Sequence, residues 1–230
     1  MFCGKNKALT FSYDDGTLQD KRLIGIFNKY GLKATFNLSS DLLGTKNGFE
    51  REGVQINHDK INPEDVKSVY EGHEIAVHTL THPNLLELSD DEIIREVEED
   101  RKALSKLAGY EVVGMAYPFG TNDERTYNIL KNRTGVKYAR VVETTGNFDV
   151  GQDLYRFCGT IYHHAEWNKL FETGEKFLSL QTEQPSLLYI WGHSFEFDIY
   201  PERWKIFEEF CKMMSNRKDI YYGTNKEVLL

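Results

Sequence analysis

The chain has 230 residues, 40% of them apolar and 28% charged, with 28 Lys and Arg against 36 Asp and Glu and a net charge of −8. That composition suits a globular fold with a sizeable core. The acidic balance, without a basic stripe, argues against nucleic acid or an anionic membrane surface as a partner.

Cys3, Cys158 and Cys211 are far apart and odd in number. They make neither a CxxC metal pattern nor a disulfide framework. No apolar run reaches the roughly 18 residues of a membrane helix. The start, MFCGKNKALTF, has no apolar run long enough for a signal peptide, so a cytoplasmic location is expected for the chain as written. A chain trimmed of a leader would read the same, and would then belong outside the cytoplasm.

Taken in chain order, KALTFSY (7–13) reads as a strand and QDKRLIGIFNKYG (19–31) as a helix with Leu23, Ile24 and Phe27 on one face and Gly31 as its stop. KATFNLS (33–39) is a strand. Residues 62–72 read as a helix with Asn62 as N-cap and Pro63 at the first position. HEIAVHT (73–79) is a strand. The longest helix, 88–109, carries a capping box of Ser89 and Glu92 and ends at Gly109. Strand 112–120, helix 123–135 and strand 136–142 follow, then an irregular stretch, 143–165. Helix 166–180, strand 186–193, helix 202–214 and strand 220–225 complete the chain. Alternating elements of this kind imply βαβ units in one α/β domain over residues 1–230. About seven mainly parallel strands suit a barrel or a doubly wound sheet.

Four polar motifs stand at the C-terminal ends of these strands: SYDDG (12–16), VHTLTH (77–82), YPFG (117–120) and WGHS (191–194). In parallel α/β folds that edge holds the active site. Successive strand residues face opposite ways, so Asp14 and Asp15 share a site only if the chain leaves strand geometry there; Gly16 permits this. His78 and His82, four apart, can grip one ion if the chain turns helical after the strand. One carboxylate with two imidazoles is a catalytic zinc shell. The second aspartate then stays free as a general base. YPFG reads as a turn whose exposed N–H can serve an oxyanion. His193 reads as a general acid or as a buried core histidine.

Together TFSYDDG, HTLTH, YPFG and YIWGHS, in this order, resemble the polysaccharide deacetylase family, the NodB-homology carbohydrate esterases, from about Ala8 to Asn225. The resemblance implies a distorted (β/α)7 barrel with mainly parallel strands. It also implies one divalent ion, zinc, and hydrolytic removal of acetyl from an acetylated carbohydrate, with an N-acetyl sugar favoured. Carried onto this chain, it makes Asp14 the base, Asp15, His78 and His82 the metal ligands, and His193 the acid. The Phe119 N–H becomes the oxyanion donor. Tyr117, Arg140, Trp191 and Phe195 are the expected substrate contacts.

Two positions depart from the family pattern. Ala116 stands where many members carry an arginine that contacts the base. Arg140 is the candidate substitute, against the plain reading of a solvated arginine. No clear copy of the aspartate that orients the acid is present; Asp153, Glu166 and Glu196 are the candidates. Tyr162, Trp167, Phe195, Phe197 and Trp204 are either sugar-stacking aromatics or core, with Trp204 assigned to the core. His163 and His164 are either cleft residues or solvated. The alternatives from other classes are a non-catalytic carbohydrate-binding protein on the same barrel and a hydrolase of non-sugar amides.

Overall fold

Lys7–Asp14 is buried at all eight positions and forms β1, a strand covered on both faces as parallel sheets require. The structure, a computed structural model, describes residues 2–164 and 167–230. After β1 come α1 (Asp20–Lys29) and β2 (Ala34–Leu38). β3 (Gly48–Arg51) and β4 (Val54–Asn57) pair antiparallel as a hairpin outside the main sheet. Next are α2 (Val66–Val69), β5 (Glu74–Val77), α3 (Asp90–Ala108), β6 (Gly114–Ala116) and α4 (Glu124–Arg133). β7 (Tyr138–Thr144), β8 (Phe157–Gly159), β9 (Ile161–Tyr162) and α5 (Trp167–Ser179) follow. β10 (Ser186–His193), α6 (Glu202–Met214), β11 (Ile220–Tyr222) and α7 (Asn225–Leu229) end the chain.

The main sheet runs β8-β7-β6-β5-β2-β1-β10-β9, each neighbouring pair parallel, with β11 on β1 as well. The two ends of that path are consecutive in the chain: β8 pairs with β7, β9 pairs with β10, and only Thr160 lies between them. Thr160 itself donates from its N–H to the Tyr189 carbonyl at 2.7 Å. The segment 157–162 therefore closes the ring, and the fold is the mainly parallel, distorted (β/α)7 barrel that was expected. Phe11, Phe27, Phe36 and Phe207 are fully buried and belong to one continuous core.

Local chemistry explains most of the boundaries. The capping box of Ser89 and Glu92 is present, and Gly109 ends α3 in the left-handed region at φ 80°. Several elements differ from expectation, among them strand 112–120, which is only Gly114–Ala116 followed by the 3-10 turn Pro118–Gly120. Residues 62–72 hold only a 3-10 turn, Pro63–Asp65, and the four-residue α2; Asn62 precedes the turn without a side-chain cap. β7 extends to Thr144, and strand 220–225 stops at Tyr222, because Thr224 caps α7 through the Glu227 N–H. The irregular stretch contains the closing strands β8 and β9. The β3–β4 hairpin was not anticipated. Its turn uses Glu52 and Gly53, both at positive φ, rather than an Asn-Gly signal, and Ile56 is its one fully buried position. No helix among the described residues is long and apolar enough to cross a membrane.

Candidate active site

Asp14 is the last residue of β1, and Asp15 leaves strand geometry at φ 82°, followed by Gly16 at φ 62°. This break lets both carboxylates serve one rim. A β-carbon on Gly16 would meet Leu38 at 2.7 Å, so the turn sits tightly on β2.

Asp14 is 3% exposed. Asn37 on β2 donates to its Oδ1 at 2.8 Å, the Arg140 guanidinium bonds its Oδ2, and His193 Nε2 stands 3.8 Å from that same oxygen. Burial pushes the Asp14 carboxyl up, but Arg140, with His78 and His193, brings it below the ordinary value. Asp14 is thus an ionised carboxylate with strong partners on one side.

Asp15 faces the other way. Its Oδ1 is 4.0 Å from His78 Nε2 and 3.9 Å from His82 Nε2, and the three ligand atoms lie within 4.8 Å of one another. A tetrahedral ion with bonds near 2.0–2.2 Å separates its ligands by roughly 3.3–3.6 Å, so small adjustments suffice. His78 Nδ1–H donates to the Ala116 carbonyl at 2.8 Å, which leaves Nε2 as a bare lone pair toward Asp15. Burial pushes both imidazoles down, His82 to about 4, so both are neutral donors at ordinary pH. The donor set fits a divalent ion such as zinc.

The loop carrying the two histidines does not turn helical after β5. Thr79 and His82 adopt positive φ, 64° and 58°, and these two reversals bring the imidazoles together, with ring centroids 4.7 Å apart. Helix α3 braces the loop. Asp100 accepts the His78 N–H at 3.2 Å and the Ser40 N–H at 2.7 Å; Glu96 accepts the Thr81 N–H at 2.9 Å. Sequence reasoning missed both acids, because nothing local distinguishes them from the solvated acids of the same helix.

Glu196 is the partner of the acid candidate. It lies in the 3-10 turn Ser194–Asp198 directly after β10, and its Oε1 stands 3.4 Å from His193 Nδ1. Glu196 is wholly buried and accepts from His163 Nε2 at 2.9 Å, from Arg51 at 3.1 Å and from the Tyr162 hydroxyl. Burial alone would lower His193, but Glu196, then Asp15 and Asp14, raise it to about 9. The other candidates do not share this place. Asp153 caps the turn Leu154–Arg156 and bonds Tyr127, and Glu166 lies outside the described residues.

Arg140 is no solvated arginine. It is 1% exposed, pointing into the barrel with its guanidinium 4.6 Å from the Trp191 ring centroid, so it backs Asp14 rather than facing a ligand. Tyr117, Phe119, Trp191 and Phe195 line a cleft of about 270 Å³ with the two aspartates and His78, His82 and His193. Tyr117 and Trp191 are nearly buried, whereas Phe119 is 62% exposed. Phe119 has φ 57°, a strained turn at the rim, and its ring packs edge-on against His82. Phe197 and Trp204 are core, and Trp167 packs against Phe197 and Phe207. His163 is fully buried; His164 accepts from Arg203 at 3.0 Å.

Known proteins resemble this chain in sequence and in fold. The family described as "Polysaccharide deacetylase" matches residues 3–139. Chitin deacetylase 1 of Cryptococcus neoformans is 27% identical over 206 residues, covering 87% of this chain and 39% of that protein. A peptidoglycan-N-acetylglucosamine deacetylase of Bacillus cereus is 29% identical over 119 residues, covering 50% of this chain and 38% of the relative. The chain thus spans about two fifths of the length of these curated relatives. A Mycobacterium smegmatis structure described as a polysaccharide deacetylase superposes over 98% of this chain and 90% of its own, with a TM-score of 0.71 at 17% identity, a likeness of fold. The family match covers more than half of the chain, and with it the DDG, HTLTH and YPFG motifs: the chain belongs to the polysaccharide deacetylase family.

Proposed function

We propose that the chain is a metal-dependent hydrolase that removes acetyl groups from an acetylated carbohydrate, with an N-acetyl sugar as substrate. The observation that carries this reading is the division of labour between adjacent carboxylates. Asp15 faces the Nε2 atoms of His78 and His82, while Asp14 faces Arg140 and His193.

In this reading Asp15, His78 and His82 hold one divalent ion, zinc. When bound, it supplies Lewis acidity toward water and the acetyl carbonyl. Asp14, kept ionised by Arg140, accepts the proton of the attacking water. The Phe119 N–H donates to the oxygen on which negative charge develops. His193, kept protonated by Glu196, gives its proton to the departing nitrogen as the carbon–nitrogen bond breaks. Acetate and a free amino sugar leave. The exposed Phe119 ring offers an aromatic surface to the sugar ring at the rim of the cleft. The two relatives are named for deacetylation of chitin and of peptidoglycan N-acetylglucosamine, which supports an N-acetylated substrate over an O-acetylated one.

The test is acetate release from a panel of N- and O-acetylated sugars, with zinc supplied, after chelation, and after readdition. Release that disappears with chelation and returns with zinc is expected. A zinc-loaded, folded protein that releases acetate from no member of the panel would overturn the reading.

A further inference from the structure

We propose that His58 and Lys60 are positioning residues that set the cation affinity of Asp15 in opposite directions. The inference rests on the reading of Asp15, His78 and His82 as a metal site. It concerns two residues that follow the β3–β4 hairpin and belong to none of the four motifs.

His58 Nε2–H donates to Asp15 Oδ2 at 3.2 Å, and the other oxygen, Oδ1, faces His78 and His82. One oxygen is tied, so the carboxylate presents a single atom to the cluster. The His58 ring has little room to turn: Phe49 and Phe195 stand edge-on to it, with centroids at 5.2 and 4.9 Å. Asp15 sits in a left-handed break at the end of β1, and the His58 bond fixes which way its carboxylate turns.

Lys60 is 7% exposed. Its Nζ stands 3.8 Å from Asp15 Oδ1, the metal-facing oxygen, and 3.3 Å from His58 Nε2. Its backbone is pinned by an N–H bond to the Thr45 carbonyl at 2.9 Å and by a bridge to Thr17. With the side chain itself nearly buried, the ammonium is held beside Asp15. Its charge balances Asp15 in the apo protein and repels a dication entering the same place.

The experiment is zinc affinity of the purified full chain, by competition with a chromophoric chelator, with metal-free thermal melting as the check on folding. His78→Ala serves as the control for the site itself and should abolish tight binding. His58→Leu should weaken zinc about 10–100-fold, the usual share of a residue behind a ligand, and His58→Gln, which keeps an N–H donor, should recover most of the loss. Lys60→Met should tighten zinc by about tenfold, and Lys60→Arg should leave it near wild type. If His78→Ala loses zinc while His58→Leu binds normally, or while Lys60→Met weakens binding, the inference falls and the metal reading stands. Should His58→Leu fail to fold, the sign of the Lys60→Met effect decides. If His78→Ala keeps wild-type affinity, the metal assignment and this inference fall together.

Discussion

Arg140 and Asp14 meet across the inside of the barrel, from β7 and β1, strands that are not neighbours. In the sheet register Arg140 pairs with Ala116, the position where the family pattern places its arginine. Paired residues of parallel strands face the same side. The guanidinium thus reaches Asp14, the proposed base, from one strand further along.

Arg140→Met should leave Asp14 buried and unpaired. Loss of one partner of a buried ion pair costs on the order of 3–5 kcal/mol, so a clear fall in melting temperature is expected. Without the guanidinium the carboxyl titrates higher, and the acidic limb of the pH–rate profile should move up. Arg140→Lys should restore part of both. An unchanged acidic limb in a folded Arg140→Met protein would mean that the arginine does not tune Asp14.

Glu196→Gln tests the acid. His193 sits at about 9 because Glu196 stabilises the imidazolium. The working form is protonated, so turnover should hold below that value and fall as pH rises through it. Removing the negative charge should bring the alkaline limb down by about 1–3 units. His193→Ala should slow turnover roughly 10²–10⁴-fold, less for substrates with good leaving groups. Equal losses across a leaving-group series would make His193 structural.

The two aspartates separate by paired measurement of zinc content and turnover. Asp15→Asn removes an anionic donor, and zinc affinity should drop sharply. Asp14→Asn should keep zinc and lose activity, because an amide cannot accept the proton of water. The reverse pattern would exchange the roles.

Asp20 predicts a stability effect with no direct part in the chemistry. It is fully buried, accepts from Ser194 at 2.6 Å and Tyr70 at 2.7 Å, and burial pushes it up to about 7. Its folded value lies above the unfolded one, so the folded state holds the extra proton. The stability this provides is full below about pH 4 and is lost as pH rises to about 7. Asp20→Asn should flatten that part of the stability profile, by on the order of 1–4 kcal/mol between pH 4 and 8 in denaturant titrations. An unchanged slope would show that Asp20 is ionised when folded.

Much of the site was legible because its parts are local. SYDDG, HTLTH, YPFG and WGHS each stand where a strand ends, and in a parallel barrel those ends share one rim. Ser89, Glu92 and Gly109 marked α3 for the same reason: caps act over three or four residues. A helical turn, the condition for His78 and His82 to share one face, does not form; positive φ at Thr79 and His82 brings the two imidazoles together instead.

Other parts had no local signal. Arg140 reads alike whether solvated or buried until β7 is placed across the barrel from β1, with β6, β5 and β2 between them. Glu196 could not be chosen over Asp153 until a 3-10 turn folded it back under His193. His58, Lys60 and Arg51 reach the site through a hairpin whose turn and burial pattern are both weak. The chain order alone carried the candidate reacting groups, because their spacing and strand-end placement are short-range properties. Which charges surround them was decided by the closed barrel, because a buried carboxylate's partners are set by neighbours in space, often more than a hundred residues away in sequence.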